Sequence, residues 1–137
     1  MNKAKNMALE AVAPLLIFFS RMKTMDNKIS LPGAIARYIE ASNRFDPDSA
    51  AACFTPDATV GDEGHTHIGL EAIRNWVSQA SEKYRPHATV INAREHGDEM
   101  VVDVRVAGEF PGSPIELKFQ FSLRNDRIAQ LTILPAN

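Results

Sequence analysis

Residues 54–76 read FTPDATVGDEGHTHIGLEAIRNW, and the fold follows from how that stretch is parsed. A short strand over Ala58–Asp62 runs into a polar loop, Glu63–Thr66, and then into a helix opening near Gly69. Alternate residues of a strand share a face, so Ala58, Val60 and Asp62 point the same way. With Val60 toward the core, a carboxylate lies further along the same apolar line. Such a group is costly unless it is paired, protonated or used. Glu63, His65 and His67 add titratable groups on the loop, and chemistry is expected here.

Upstream, Leu31-Pro32-Gly33 opens a helix over about Pro32–Asn43, since proline suits a first turn. Ile35, Tyr38, Ile39 and Ser42 share one helical face, which puts Tyr38 on the inward stripe, where its hydroxyl needs a partner. Asp48 is a cap for a short helix, Ser49–Phe54, ended by Pro56-Asp57. Downstream, a third helix spans about Leu70–Lys83 with Ile73, Trp76, Val77 and Ala80 on its apolar face. Trp76 reads either as core packing or as a pocket wall. Arg85-Pro86 breaks this helix.

From there the period changes to two. Strands are expected over His87–Glu95, Met100–Phe110, Ile115–Leu123 and Ile128–Leu134, separated by Gly97-Asp98, Pro111–Pro114 and Asn125-Asp126. In the third of these Ile115, Leu117, Phe119, Phe121 and Leu123 alternate with polar residues. In the second, Val102, Val104 and Val106 share one face, while Val101, Asp103 and Arg105 share the other. Helix, helix, short strand, helix and a four-stranded meander make an α+β pattern. A cone-shaped, curved antiparallel sheet wrapped around the long first helix, with two further helices, leaves a conical pocket for a small molecule.

The 137 residues suffice for one domain. Fifteen basic residues against 17 acidic ones give a net charge of −2, which offers neither a nucleic-acid surface nor a polybasic membrane patch. A single cysteine, Cys53, excludes an internal disulfide and any multi-cysteine metal site, and its apolar neighbours make it a buried structural thiol. Residues 1–30 read as an extension, mobile or an extra helix, ahead of a domain at 31–137. Its apolar run, Met7–Phe19, is broken by Glu10 and Pro14 and is too short to span a membrane. It also lacks a small-residue cleavage site at Ser20-Arg21-Met22. Met25 is an alternative start, and a cytoplasmic location is expected. No phosphate-binding glycine loop is present, so no organic cofactor is implied. Imidazole and carboxylate at Asp62, Glu63, His65 and His67 suit zinc or iron, but the spacing is not a recognised ligand pattern and no metal is assigned.

Ala36-Arg37-Tyr38-Ile39-Glu40, Phe54-Thr55-Pro56-Asp57-Ala58-Thr59-Val60 and Ile68-Gly69-Leu70-Glu71-Ala72-Ile73 carry a resemblance. Through them the chain from about Leu31 to Leu134 resembles the nuclear transport factor 2-like (cystatin-like) superfamily, in its SnoaL-like and ketosteroid-isomerase-like branches. That fold hosts isomerases, cyclases, dehydratases, epoxide hydrolases and non-catalytic binding domains. The resemblance implies Asp62 as a general base, in the position two residues after the valine. It implies Tyr38, in its Ala-Arg-Tyr context, as an oxyanion donor. The second, acidic donor of the isomerases is replaced by Phe119 or Phe121, and a cyclase-type second aspartate has only Asp103 to draw on. Around Asp62 and Tyr38, the residues Phe54, Val60, His65, His67, Trp76, Phe119 and Phe121 are expected to contact a small, largely apolar ligand. The outer sheet face is expected to make a homodimer, helped by Val101 and Met100. The contrasting reading is a non-catalytic ligand- or protein-binding domain in which Asp62 caps a strand end and Tyr38 bonds a carbonyl.

Overall fold

The apolar stripe of the first helix continues, in space, into the inner faces of the strands. A computed structural model describes residues 29–136. The extension and Met25, up to residue 28, lie outside the described residues. Helix α1 (Gly33–Asn43) buries Ala34, Ile35, Tyr38, Ile39 and Ala41. Its last turn closes with Phe45 N–H donating to Ser42 O at 3.0 Å and Asp46 N–H to Ala41 O at 3.0 Å. This is a Schellman end, built here on Phe45 at φ 59° where glycine is usual. Helix α2 is Pro47–Ala51, earlier than expected. Asp46, not Asp48, is its cap, accepting from Ser49 N–H at 3.2 Å.

The strand expected over Ala58–Asp62 is longer: β1 runs Phe54–Asp62. Pro56 does not end a helix as expected. It lies instead where the β1 register shifts between Phe54 and Thr59, a place that requires no N–H from it. The segment read as a loop contains a second strand, β2 (His65–Ile68), antiparallel to β1. Among the described residues the longest helix is α3 (Leu70–Tyr84) rather than α1, and Arg85 ends it in the left-handed region at φ 45°. The meander follows as β3 (His87–His96), β4 (Glu99–Ala107), β5 (Ile115–Arg124) and β6 (Arg127–Pro135). Strand β4 stops short of Phe110 because Gly108 turns toward α3. A Cβ on Gly108 would stand 2.6 Å from Tyr84 O.

The six strands are ordered β2-β1-β6-β5-β4-β3. All neighbouring pairs are antiparallel except β1 and β6, which run parallel. The sheet curves over the helices and packs a core that includes Ile35, Phe54, Val60, Ile73, Val102, Val104, Phe121, Ile128 and Leu131. Met100 belongs to the inner face, opposite Phe121, so it does not contribute to the outer face as expected. Asp103 points outward, where its carboxylate accepts from Arg94 Nη1 at 2.8 Å. Among the described residues no helix is long and apolar enough to cross a membrane.

Candidate functional site

The β1–β2 hairpin makes the site. Its turn is two residues, Glu63-Gly64, at φ 53° and 79°, the left-handed pair that matches strand twist in a tight hairpin. Asp62 therefore stands directly opposite His65, and Val60 opposite His67. Cross-strand partners share a face, so both histidines lie on the same side as Asp62. They are strand residues, not loop residues. A loop was expected because glutamate at φ 53° carries no turn signature and His65–Ile68 is a short polar edge strand.

Helix α3 closes over this hairpin. Trp76 Nε1 donates to Asp62 Oδ2 at 3.1 Å, and the indole stacks on His67 with ring centres 5.8 Å apart. Asp62 is half-buried. Burial pushes its carboxyl above the ordinary carboxylate range and the Glu63 charge adds to this, while the Trp76 hydrogen bond and the two imidazoles act the other way. From α1, Tyr38 enters between Phe54 and Phe121, with ring centres 5.4 and 6.1 Å away, both edge-on. Burial holds its phenol well above the usual range, and the charge of Asp62 and then Cys53 reinforce that. Among the described residues no protein group hydrogen-bonds the Tyr38 hydroxyl.

Asp62 and Tyr38 line one cavity of about 620 Å³, within the size range of small-molecule sites. Trp76, His65, His67 and Phe119 line it too. Phe54, Val60 and Phe121 do not: each is fully buried in the core behind the wall, since the sheet packs them against α1. Residues not anticipated from the sequence complete the lining. Tyr84 and Phe110 pack edge-on at 5.9 Å, brought together where Glu109 N–H donates to Tyr84 O at 2.6 Å. Ser42, Asn43 and Ser81 add polar groups. The Asn43 amide is already engaged, donating to Ala88 O at 2.9 Å and accepting from Ala88 N–H at 2.8 Å. A serine interrupting the apolar stripe of α3 at Ser81 was the available signal for that position. Among the described residues no three His, Cys, Asp or Glu side chains converge as a metal site.

Chemically, the cavity pairs a desolvated carboxylate with a phenol that stays protonated. The carboxylate is a better base than an exposed one, and the phenol is a donor in an apolar setting. Phe54 and Phe121 are the rings beside that phenol, and the lining residues from β5, Ile115, Leu117 and Phe119, include no acid.

Residues 35–131 match the family model described as a SnoaL-like domain. No curated protein matches the chain. Among solved structures, a candidate polyketide cyclase from Sinorhizobium meliloti shares 37% identity and a TM-score of 0.72, covering 75% of this chain and 94% of that one. A protein from Catenulispora acidiphila with a ketosteroid isomerase-like fold, solved with trimethylamine, shares 21% identity. Its TM-score is 0.69, with coverage of 76% of this chain and 85% of that one. A second candidate polyketide cyclase, from Xanthomonas campestris, shares 22% identity with a TM-score of 0.64, covering 74% and 86%. The last two likenesses are of fold alone.

Proposed function

The chain belongs to the SnoaL-like domain family, and from that premise we propose that its cavity binds a small, largely apolar carbonyl compound and removes a proton next to the carbonyl. Asp62 takes the proton: the C–H bond breaks, an O–H bond forms on the carboxylate, and the electron pair moves onto the carbonyl oxygen. Tyr38 donates its hydroxyl to that oxygen. Returning the proton to a different carbon gives an isomerisation. Attack of the enolate on an electrophile within the same molecule gives a cyclisation. The observation that carries this reading is that Asp62 and Tyr38 line one cavity, the Tyr38 hydroxyl having no partner among the described residues.

The single donor narrows the substrate. Loss of one oxyanion donor typically lowers a rate by about 10²–10³, and β5 contributes only Ile115, Leu117 and Phe119 to the cavity lining, with no second acid. The reading therefore favours carbon acids that are already acidic, such as a carbon flanked by two carbonyls or by a carbonyl and an aromatic ring. 2-Tetralone, whose benzylic position is of the second kind, is a suitable probe. Its exchange with deuterium in D2O, followed by NMR, should fall by about 10²–10⁴ in Asp62→Asn while the circular dichroism spectrum is unchanged. Exchange equal to wild type would leave Asp62 as no more than a partner for Trp76, and the protein as a binding domain.

A further inference from the structure

Asp62 and Trp76 are hydrogen-bonded at the cavity wall, and α3 carries a further polar lining residue more than a turn beyond Trp76. Ser81 is only 7% exposed and lines the same cavity. It continues the buried stripe of α3 after Ile73 and Val77, a place where an amphipathic helix ordinarily puts another apolar residue. A buried hydroxyl almost always has a partner, and one without costs about 1–3 kcal/mol. A helical serine usually solves this by bonding to the carbonyl one turn back, but among the described residues the Ser81 hydroxyl makes no hydrogen bond. The lining amide of Asn43 is turned to the Ala88 backbone, and among the described residues it makes no hydrogen bond to Ser81.

We propose that Ser81 is a ligand-binding residue that recognises a second oxygen function, a hydroxyl or carbonyl, at the end of the ligand remote from the carbon acid. Five residues separate it from Trp76, which is about 7.5 Å of helix rise. On α3 the lining between them is Val77, Gln79 and Ala80, and Leu117, Phe119 and Ile133 add apolar surface to the cavity. The ligand class is thus an elongated bifunctional molecule: a carbonyl at Asp62, an apolar middle, and an oxygen at the far end. Which end carries the carbonyl rests on the function proposed above; the need for a distant oxygen rests on Ser81 alone.

The test uses 2-tetralone and 6-hydroxy-2-tetralone, whose added hydroxyl lies at the opposite end of the fused rings. Trp76 is the only tryptophan in the chain and lines the cavity, so its fluorescence reports binding of either ketone. Wild type should bind the hydroxylated ketone about two- to tenfold more tightly, the equivalent of one neutral hydrogen bond. Ser81→Ala should bind both ketones equally, at the wild-type affinity for 2-tetralone. Its melting temperature should equal or exceed that of wild type, because an unpartnered hydroxyl is removed and alanine is the better helix former. Absence of a preference in wild type, failure of wild type to bind the hydroxylated ketone, or a preference that survives Ser81→Ala would each overturn the proposal. The same titration on Asp62→Asn separates the two readings. If the preference for the hydroxylated ketone persists and deuterium exchange is also unchanged, the base is refuted and Ser81 stands. If exchange is lost in Asp62→Asn but Ser81→Ala keeps the preference, the base stands and Ser81 is refuted.

Discussion

Two hairpins in this protein use the same backbone device for different ends. The β5–β6 turn, Asn125-Asp126, has both central residues at positive φ (53° and 64°), and so does the β1–β2 turn, Glu63-Gly64 (53° and 79°). The β5–β6 hairpin pairs Phe121 with Leu131, both fully buried. The β1–β2 hairpin lies at the sheet edge, and Ile68 on its outer strand is 68% exposed. One hairpin holds the core together, and the other holds a carboxylate, two imidazoles and an indole at a cavity wall. The packing falls to β1, which buries Phe54, Ala58 and Val60, and the turn and outer strand can carry strained and charged residues because little packing depends on them.

The largest effect that could break this contrast is on packing. Phe121→Ala should lower the unfolding free energy by about 3–5 kcal/mol, whereas Ile68→Ala should stay within about 0.5 kcal/mol. Urea unfolding measures both, and comparable losses would show that the edge hairpin bears load after all.

A smaller effect sharpens the contrast at the turns. Glutamate in the left-handed region is held at a cost of about 1–2 kcal/mol, which asparagine largely avoids. Glu63→Asn should therefore raise the unfolding free energy by about 1 kcal/mol, and Asn125→Glu should lower it by a similar amount. If Glu63→Asn also changes ketone binding, the strained turn sets the angle of Asp62 as well as the register.

The smallest effects are in pH dependence, and they have opposite signs. Asp57, on β1, accepts from Arg124 at the end of β5 and from the Thr55 hydroxyl, and these hydrogen bonds lower its pKa. A depressed folded-state value adds stability above the unfolded value, lost as pH falls through the folded one. Asp57→Asn should accordingly lower the melting temperature at neutral pH and match wild type in strong acid. Asp62 is the reverse. Burial raises its folded-state value, so its contribution is full below the ordinary aspartate range and is lost as pH rises through the raised value. Asp62→Asn should melt higher than wild type at neutral pH and converge with it in acid. Equal shifts for the two variants across pH 3–7 would refute the assignment.

The same contrast explains what could be read from residue order. Alternation along Ile115–Leu123 and the stripe Ile35, Tyr38, Ile39 mark elements whose hydrophobic pattern is imposed by the core, so both were legible. Asp62 was legible too, because it continues the apolar parity of Ala58 and Val60. Strand β2 was not, since an exposed edge imposes no pattern on His65–Ile68 and Glu63 hides the turn. Phe54, Val60 and Phe121 look like pocket residues in one dimension and prove to be the layer beneath it. Tyr84 and Phe110 meet only because Gly108 allows the β4–β5 connection to touch the end of α3, a contact no local spacing announces.

The parallel pairing of β1 with β6 also separates order in time from order in space. Residues 127–135 follow the other described elements in sequence but lie between β1 and β5 in the sheet, with Leu131 opposite both Val60 and Phe121. During synthesis, β3 to β5 can zip as neighbours while the β1–β2 hairpin, covered by α3, pairs with no other strand, and a two-stranded ribbon is marginal in water without such packing. The strand bearing Asp62 is thus set in the sheet by a strand that follows it by some 65 residues in sequence, and this long-range closure should make ordering of the cavity a late event in folding.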